Sequence, residues 1–150
     1  MKKFVLALST IAALATALPA AAQFQKPEDA IKYRKAAFTV MGAHFGRIGA
    51  MVNNRVPFDA KVAAENADLV ADLAKLPFAG FGPGTDKGDT RAKPEIWSEM
   101  DKFNAGAKKM QEETAKLATA AKGGNLDAIK AAFGETGKTC KGCHDSYRKE

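Results

Sequence analysis

Cys140, Cys143 and His144 are the one tight grouping in the chain of side chains able to hold a prosthetic group or a metal. They stand in the run Cys140-Lys141-Gly142-Cys143-His144, the Cys-x-x-Cys-His attachment signature of a c-type haem. Two thiols at that spacing can add across the two vinyl groups of one haem. A histidine directly after the second thiol can then ligate the iron from one face. Other uses of the pair fit less well. A thioredoxin-like Cys-x-x-Cys needs a strand–helix unit around it, and none is readable. A zinc site needs about four ligands, and His44 is the only spare His or Cys. A disulfide between cysteines three apart on a helix would be strained.

The other end of the chain points to export. Met1-Lys2-Lys3 is a short basic start, Phe4 to Leu18 is almost wholly apolar, and Ala20-Ala21-Ala22 offers a cleavage site before Gln23. That pattern reads as a secretory signal peptide over 1–22, too short to span a bilayer. Thiols of this type receive haem outside the cytoplasm in bacteria, so a periplasmic location is expected. The remaining 23–150 is one domain's worth of chain. Without the leader the net charge falls from +6 to +4. The surplus is scattered and forms no arm that would bind nucleic acid. A mildly basic surface could still steer an acidic redox partner.

Four helices and no strands are predicted for 23–150. Pro27 with Glu28 and Asp29 opens the first, and its apolar seam runs through Ile31, Phe38, Met41, Phe45, Ile48 and Val52. Pro57 ends that helix and Asp59 caps the next, whose expected seam is Val62, Leu69, Leu73 and Leu76 before Pro77. The third runs Ile96, Met100, Phe103, Ala107, Met110 and Leu117 to Gly123-Gly124. Asn125 caps the fourth, with Leu126, Ile129, Phe133, Thr136, Cys140, Cys143 and Tyr147 on one stripe. The haem cysteines thus fall on the buried stripe, and His144 should project beside it into the bundle. The glycine-rich segment from Phe78 to Pro94 is a long crossing loop. Two helical hairpins joined by it make an antiparallel, up-down-up-down four-helix bundle.

Arg34 occupies a slot of the first seam where a bundle wants an apolar residue. An unpaired guanidinium there is costly. Either a haem propionate satisfies it by a charge-assisted bond, or it lies at a fraying end and reaches water. Lys35 beside it is a weaker candidate for the same role. The position opposite His144 decides function. His44 is off the seam and is expected to be exposed. Met41, Met51, Met100 and Met110 are possible thioether ligands, though methionine at helical spacing is more often core filler. Phe38 lies one turn from Arg34 on the buried face and cannot ligate. Over the iron it would leave a five-coordinate centre with an apolar distal wall, open to nitric oxide or carbon monoxide.

The chain resembles the cytochrome c′ family. The resemblance rests on Lys26-Pro27-Glu28-Asp29-Ala30, Lys32-Tyr33-Arg34, His44-Phe45-Gly46-Arg47, Phe81-Gly82-Pro83-Gly84-Thr85, Pro94-Glu95-Ile96-Trp97, Ala131-Ala132-Phe133-Gly134, and Cys140 to His144 with Asp145, Tyr147 and Arg148. It implies a homodimer of haem-bearing bundles, with Cys140 and Cys143 as thioether attachments and His144 as the sole protein axial ligand. Arg34, Lys35, Asp89 and Thr90 match positions that contact haem in the family. Phe38 matches the distal apolar residue, often a leucine there, and Arg148 matches a basic residue beside the proximal histidine. Ala92-Lys93 forms an insertion before Pro94 relative to the family pattern.

The expected function is therefore a non-enzymatic haem protein that binds NO and CO and can carry single electrons. The alternative is a low-spin electron carrier of the c-556 type, with a helix-one methionine on the iron. A peroxidase would need a distal acid–base residue, which the first helix supplies only if Arg34 serves.

Overall fold

The computed structural model describes residues 23–150; the expected leader, 1–22, lies outside the described residues. Helix α1 spans Pro27–Val52, α2 Ala60–Leu73, α3 Glu95–Ser98, α4 Met100–Lys122 and α5 Leu126–Tyr147. A 3₁₀ turn covers Pro77–Gly80. The described residues contain no strand. The four long helices form the expected bundle, with α1 packed on α2, α2 on α4 and α4 on α5.

Local chemistry sets the ends. Pro27 sits in the first turn of α1 with Glu28 and Asp29 beside it, where a missing N–H costs nothing and negative charge meets the positive helix end. The side chains of Asp59 and Asn125 accept from the backbone N–H of Val62 and Ala128, each at 3.0 Å, and so cap α2 and α5. The third expected helix is broken. Glu99 leaves the helical region (φ −120°, ψ 37°) between α3 and α4. The break lets Ile96 bury against Phe103 while Trp97 Nε1 donates to Gly82 O at 3.0 Å.

The α1, α4 and α5 seams lie where their spacing puts them. Ile31, Met41, Ile48, Phe103, Met110, Leu117, Ile129 and Thr136 are buried. The α2 seam does so only at Leu73, which packs half-buried against the core. Val62, Leu69 and Leu76 are 40%, 45% and 40% exposed, and the face turned inward carries Ala63, Asn66, Ala67, Val70 and Ala74. Small side chains let α2 approach both α1 and α4 closely. The larger apolar residues are left as a stripe on the outside.

Contact between α1 and α5 extends over much less of their length than the other neighbouring pairs. Phe45 stacks on Phe133 at 4.2 Å between ring centroids and fastens the two helices. On the haem-motif side of that stack they stand apart, and the space between them is the site.

Candidate haem site

The space is a cavity of about 600 Å³, within the range of cofactor pockets. Phe38, Met41 and Phe45 face it from α1, and Thr136, Cys140, Cys143, His144 and Tyr147 from α5. Phe78, Phe81, Phe103 and Met110 complete much of its apolar wall. Protein interiors rarely keep voids larger than a water molecule. A cavity of this size, lined mainly by hydrocarbon and holding two thiols and an imidazole, fits a large, flat, apolar group that bonds to sulfur and nitrogen.

Both cysteines are free and half-buried. Burial pushes both thiols up, and for Cys140 the neighbouring Cys143 adds to the shift. Gly106 of α4 makes room for the second thiol. A Cβ there would lie 3.1 Å from Cys143 Sγ, so a side chain would press on the sulfur. His144 lines the cavity from α5. Burial of its ring holds the imidazole below its ordinary pKa. Arg148 adds to this, Asp145 opposes it, and Arg91 contributes least. A neutral ring keeps the lone pair that ligation requires. Among the described residues no three His, Cys, Asp or Glu side chains converge as a metal cluster.

Arg34 is engaged within the protein itself. It is only 2% exposed, so it does not reach water. Its acceptors come from the crossing loop. Nη1 donates to Gly80 O at 2.7 Å and Thr85 Oγ1 at 2.9 Å, and Nη2 to Thr85 O at 2.8 Å and Thr90 Oγ1 at 2.7 Å. The guanidinium lies 4.3 Å from the Phe81 ring centroid, a cation–π stack. Burial lowers its pKa to about 10, so it stays charged at neutral pH. The contact with Gly80 requires glycine, since a Cβ there would meet Ala30 O at 2.6 Å and Arg34 Cβ at 2.9 Å. A propionate is thus not needed to satisfy Arg34, though the residue still borders the cavity.

Lys35 and Asp89 sit at the mouth, with Nζ to Oδ2 at 2.6 Å. The lysine holds the Asp89 carboxyl below its ordinary range. The loop brings Asp89 and Thr90 to the cavity. Phe38 is half-buried on the cavity wall, edge-on to Phe78 at 6.0 Å and to Phe81 at 6.4 Å. Arg148 lies at the cavity beside His144. All nine residues singled out from the sequence therefore border one cavity.

His44 is not among them. Its Nδ1 is paired with Asn66 Oδ1 at 2.8 Å, between α1 and α2. Of the four methionines considered, Met41 and Met110 line the cavity while Met51 and Met100 do not. Phe78, Phe81, Arg91 and Tyr147 were not read as site residues. The one signal for the first two was a pair of phenylalanines inside a glycine-rich loop, Phe78-Ala79-Gly80-Phe81.

Comparison with known proteins agrees with this geometry. A family profile described as Cytochrome C′ matches residues 29–148. The chain is 56% identical over 129 residues to cytochrome c′ of Rubrivivax gelatinosus, covering 85% of this chain and all of that one. The crystal structure of the same relative superposes with a TM-score of 0.82. Cytochrome c prime of Shewanella frigidimarina is 48% identical with a TM-score of 0.83, covering 85% of this chain and 99% of that one. A nitric oxide complex of a single-residue variant of cytochrome c prime from Alcaligenes xylosoxidans is 46% identical, with the same coverages and a TM-score of 0.80. Covalently held haem c is the cofactor, and the cavity between α1 and α5, the two thiols and the matched length together make this chain a member of the cytochrome c′ family.

Proposed function

We propose that the protein is a periplasmic haem protein, exported by a leader over 1–22, that holds iron through His144 alone, binds NO and CO on the Phe38 side and can carry single electrons. Cys140 and Cys143 are its attachment points. Bound haem supplies a one-electron Fe(III)/Fe(II) change and an axial position for a diatomic gas. The residues around it determine how these are used. The observation that carries the reading is the wall of Phe38, Phe78 and Phe81, which faces the cavity without a donor atom. Such a wall stabilises a bound dioxygen poorly and admits small neutral gases. NO binding is also supported by the NO complex of the Alcaligenes variant.

The lining disfavours an enzyme that moves protons. Asp89 is its single carboxylate and is tied to Lys35, and Arg34 donates to four loop acceptors. No helix of the described residues is long and apolar enough to cross a membrane.

One observation favours the low-spin alternative. Met41 lies about one turn beyond Phe38 and also borders the cavity. It packs in the core with Ile48, Val70 and Met110, which holds it as filler rather than as a free ligand. Absorption spectra of the oxidised, reduced and CO-treated protein separate the two. High-spin, five-coordinate bands in both oxidation states are expected. A sharp low-spin spectrum with a methionine–iron charge-transfer band would establish the carrier instead.

The outward stripe of α2 supports a homodimer. Val62 and Leu69 are two turns apart on one face, Leu76 continues the line, and Val40 of α1 is 45% exposed. Large apolar side chains repeated along one face mark an interaction surface. Leu69→Glu would put a charge in that interface, and a desolvated unpaired charge is strongly unfavourable. Sedimentation velocity should then show a dimer for the wild type and a monomer for the variant, with the bundle still folded.

A further inference from the structure

Two short segments meet at the open side of the cavity. Residues 90–93 leave the crossing loop, residues 147–149 leave α5, and they join through an antiparallel bridge between Ala92 and Arg148. The Lys93 N–H donates to Tyr147 O at 2.9 Å and the Lys149 N–H to Arg91 O at 2.8 Å. Arg91 Nε donates to Lys149 O at 3.0 Å, and Lys93 Nζ to Asp145 O at 3.1 Å. Residues 90–93 are thus the strand-like half of a strap across the end of the haem helix.

The strap carries Arg91, Lys93, Arg148 and Lys149. None of the four is in an ion pair among the described residues. Three surrounding carboxylates are already engaged: Asp89 by Lys35, Asp145 by Lys141 and Glu99 by Lys102. Glu150 and Glu95, the latter two residues from Lys93, are the acids beside the strap without an ion pair among the described residues. Lys109, Lys116, Lys138 and Lys141 of α4 and α5, by contrast, each face a carboxylate. Four cations without an ion pair thus stand together on one strap, beside the haem ligand. Arg91 and Arg148 both border the cavity next to His144, and both act on its imidazole.

We propose that this strap is the docking surface for a carboxylate-rich face of a redox partner protein. The proposal rests on the electron-carrying reading above. One electron leaves the partner's reduced centre, which is oxidised, and converts ferric iron to ferrous; no bond breaks and no proton moves. Arg91, Arg148 and Lys149 are exposed and Lys93 half-buried. They sit along a surface ribbon and do not enclose a small ion. Complementary charge on such a ribbon steers and orients a protein partner. The inter-segment hydrogen bonds fix the cations in advance, which reduces the ordering cost of association.

Amide NMR titration of the holoprotein with poly-L-glutamate at low ionic strength tests the surface without relying on turnover. Shifts should centre on residues 91–93 and 147–149 and weaken with added salt. Lys93→Glu/Lys149→Glu should lower the affinity at least tenfold, the neutral Lys93→Gln/Lys149→Gln should fall between, and Lys61→Glu/Lys130→Glu near the opposite end of the bundle, where α2 and α5 begin, should change little. Shifts centred elsewhere, or equal affinity in the double variants, would overturn the proposal. So would inorganic phosphate producing the same shifts at the same concentration, since that is a small-anion site. Electron exchange with ferricyanide and with cationic tris(phenanthroline)cobalt(III) is measured in parallel. If the peptide binds at the strap but neither complex exchanges electrons, the carrier reading fails, and with it the redox nature of the partner, while a basic docking surface for carboxylates stands.

Discussion

His144→Ala is expected to keep haem covalently attached and to lose the wild-type spectrum in both oxidation states. The two consequences separate because thioether formation uses Cys140 and Cys143, whereas axial ligation uses the imidazole alone. The fold should tolerate the change. The His144 side chain makes no hydrogen bond among the described residues and lines the cavity outside the packed core, so truncating it opens no hole in the helix packing. No second histidine can take over. His44 is held by Asn66 outside the cavity. Added imidazole should therefore restore a wild-type-like spectrum in the variant and do little to the wild type. An unchanged spectrum in His144→Ala would remove the residue from the iron. A changed spectrum that imidazole does not rescue would place the fault in packing.

The parts of the site on one helix were legible because their geometry is local. Cys140, Cys143 and His144 carry their own spacing, and Ile129, Thr136 and Tyr147 place that spacing on the buried stripe of α5. Register was harder in α2. Leucine and valine outrank alanine in hydrophobicity, so Val62, Leu69 and Leu76 were expected inside. Close helix packing decides differently: Ala63, Ala67 and Ala74 allow near approach, and the larger residues go to the outer face. Sequence spacing measures how apolar a face is but not how close its neighbour comes.

Long-range polar contacts were invisible for another reason. Arg34 was recognised as costly because a charge in a seam needs a partner. Its acceptors at Gly80, Thr85 and Thr90 lie 46 to 56 residues away. Nothing in the first helix encodes that distance. The same holds for the pairing of Ala92 with Arg148, which makes the strap.

Phe38→Ala should raise the rate of carbon monoxide binding about a hundredfold. The Phe38 ring stands on the cavity wall between α1 and the loop aromatics Phe78 and Phe81. A ligand arriving on that side must move it. Displacing the ring gives up its edge-on pairs, worth about 0.5–1.5 kcal/mol beyond burial, together with part of the 1.5–3 kcal/mol that burial of a phenylalanine contributes. A barrier of about 2–3 kcal/mol from these sources corresponds to one to two powers of ten in rate. Alanine removes the ring and so most of that barrier. Phe38→Leu should fall between, because leucine keeps bulk but loses the aromatic pairs. The cost to the fold should be modest, since the ring is half-buried and borders a cavity, whereas a fully buried phenylalanine loses about 3–5 kcal/mol on truncation. Flash photolysis of the CO adduct reads the rate directly. Equal rates in wild type, leucine and alanine proteins would show that Phe38 does not cover the iron, and Met41, about one turn further along α1, would become the residue to test against the low-spin spectrum.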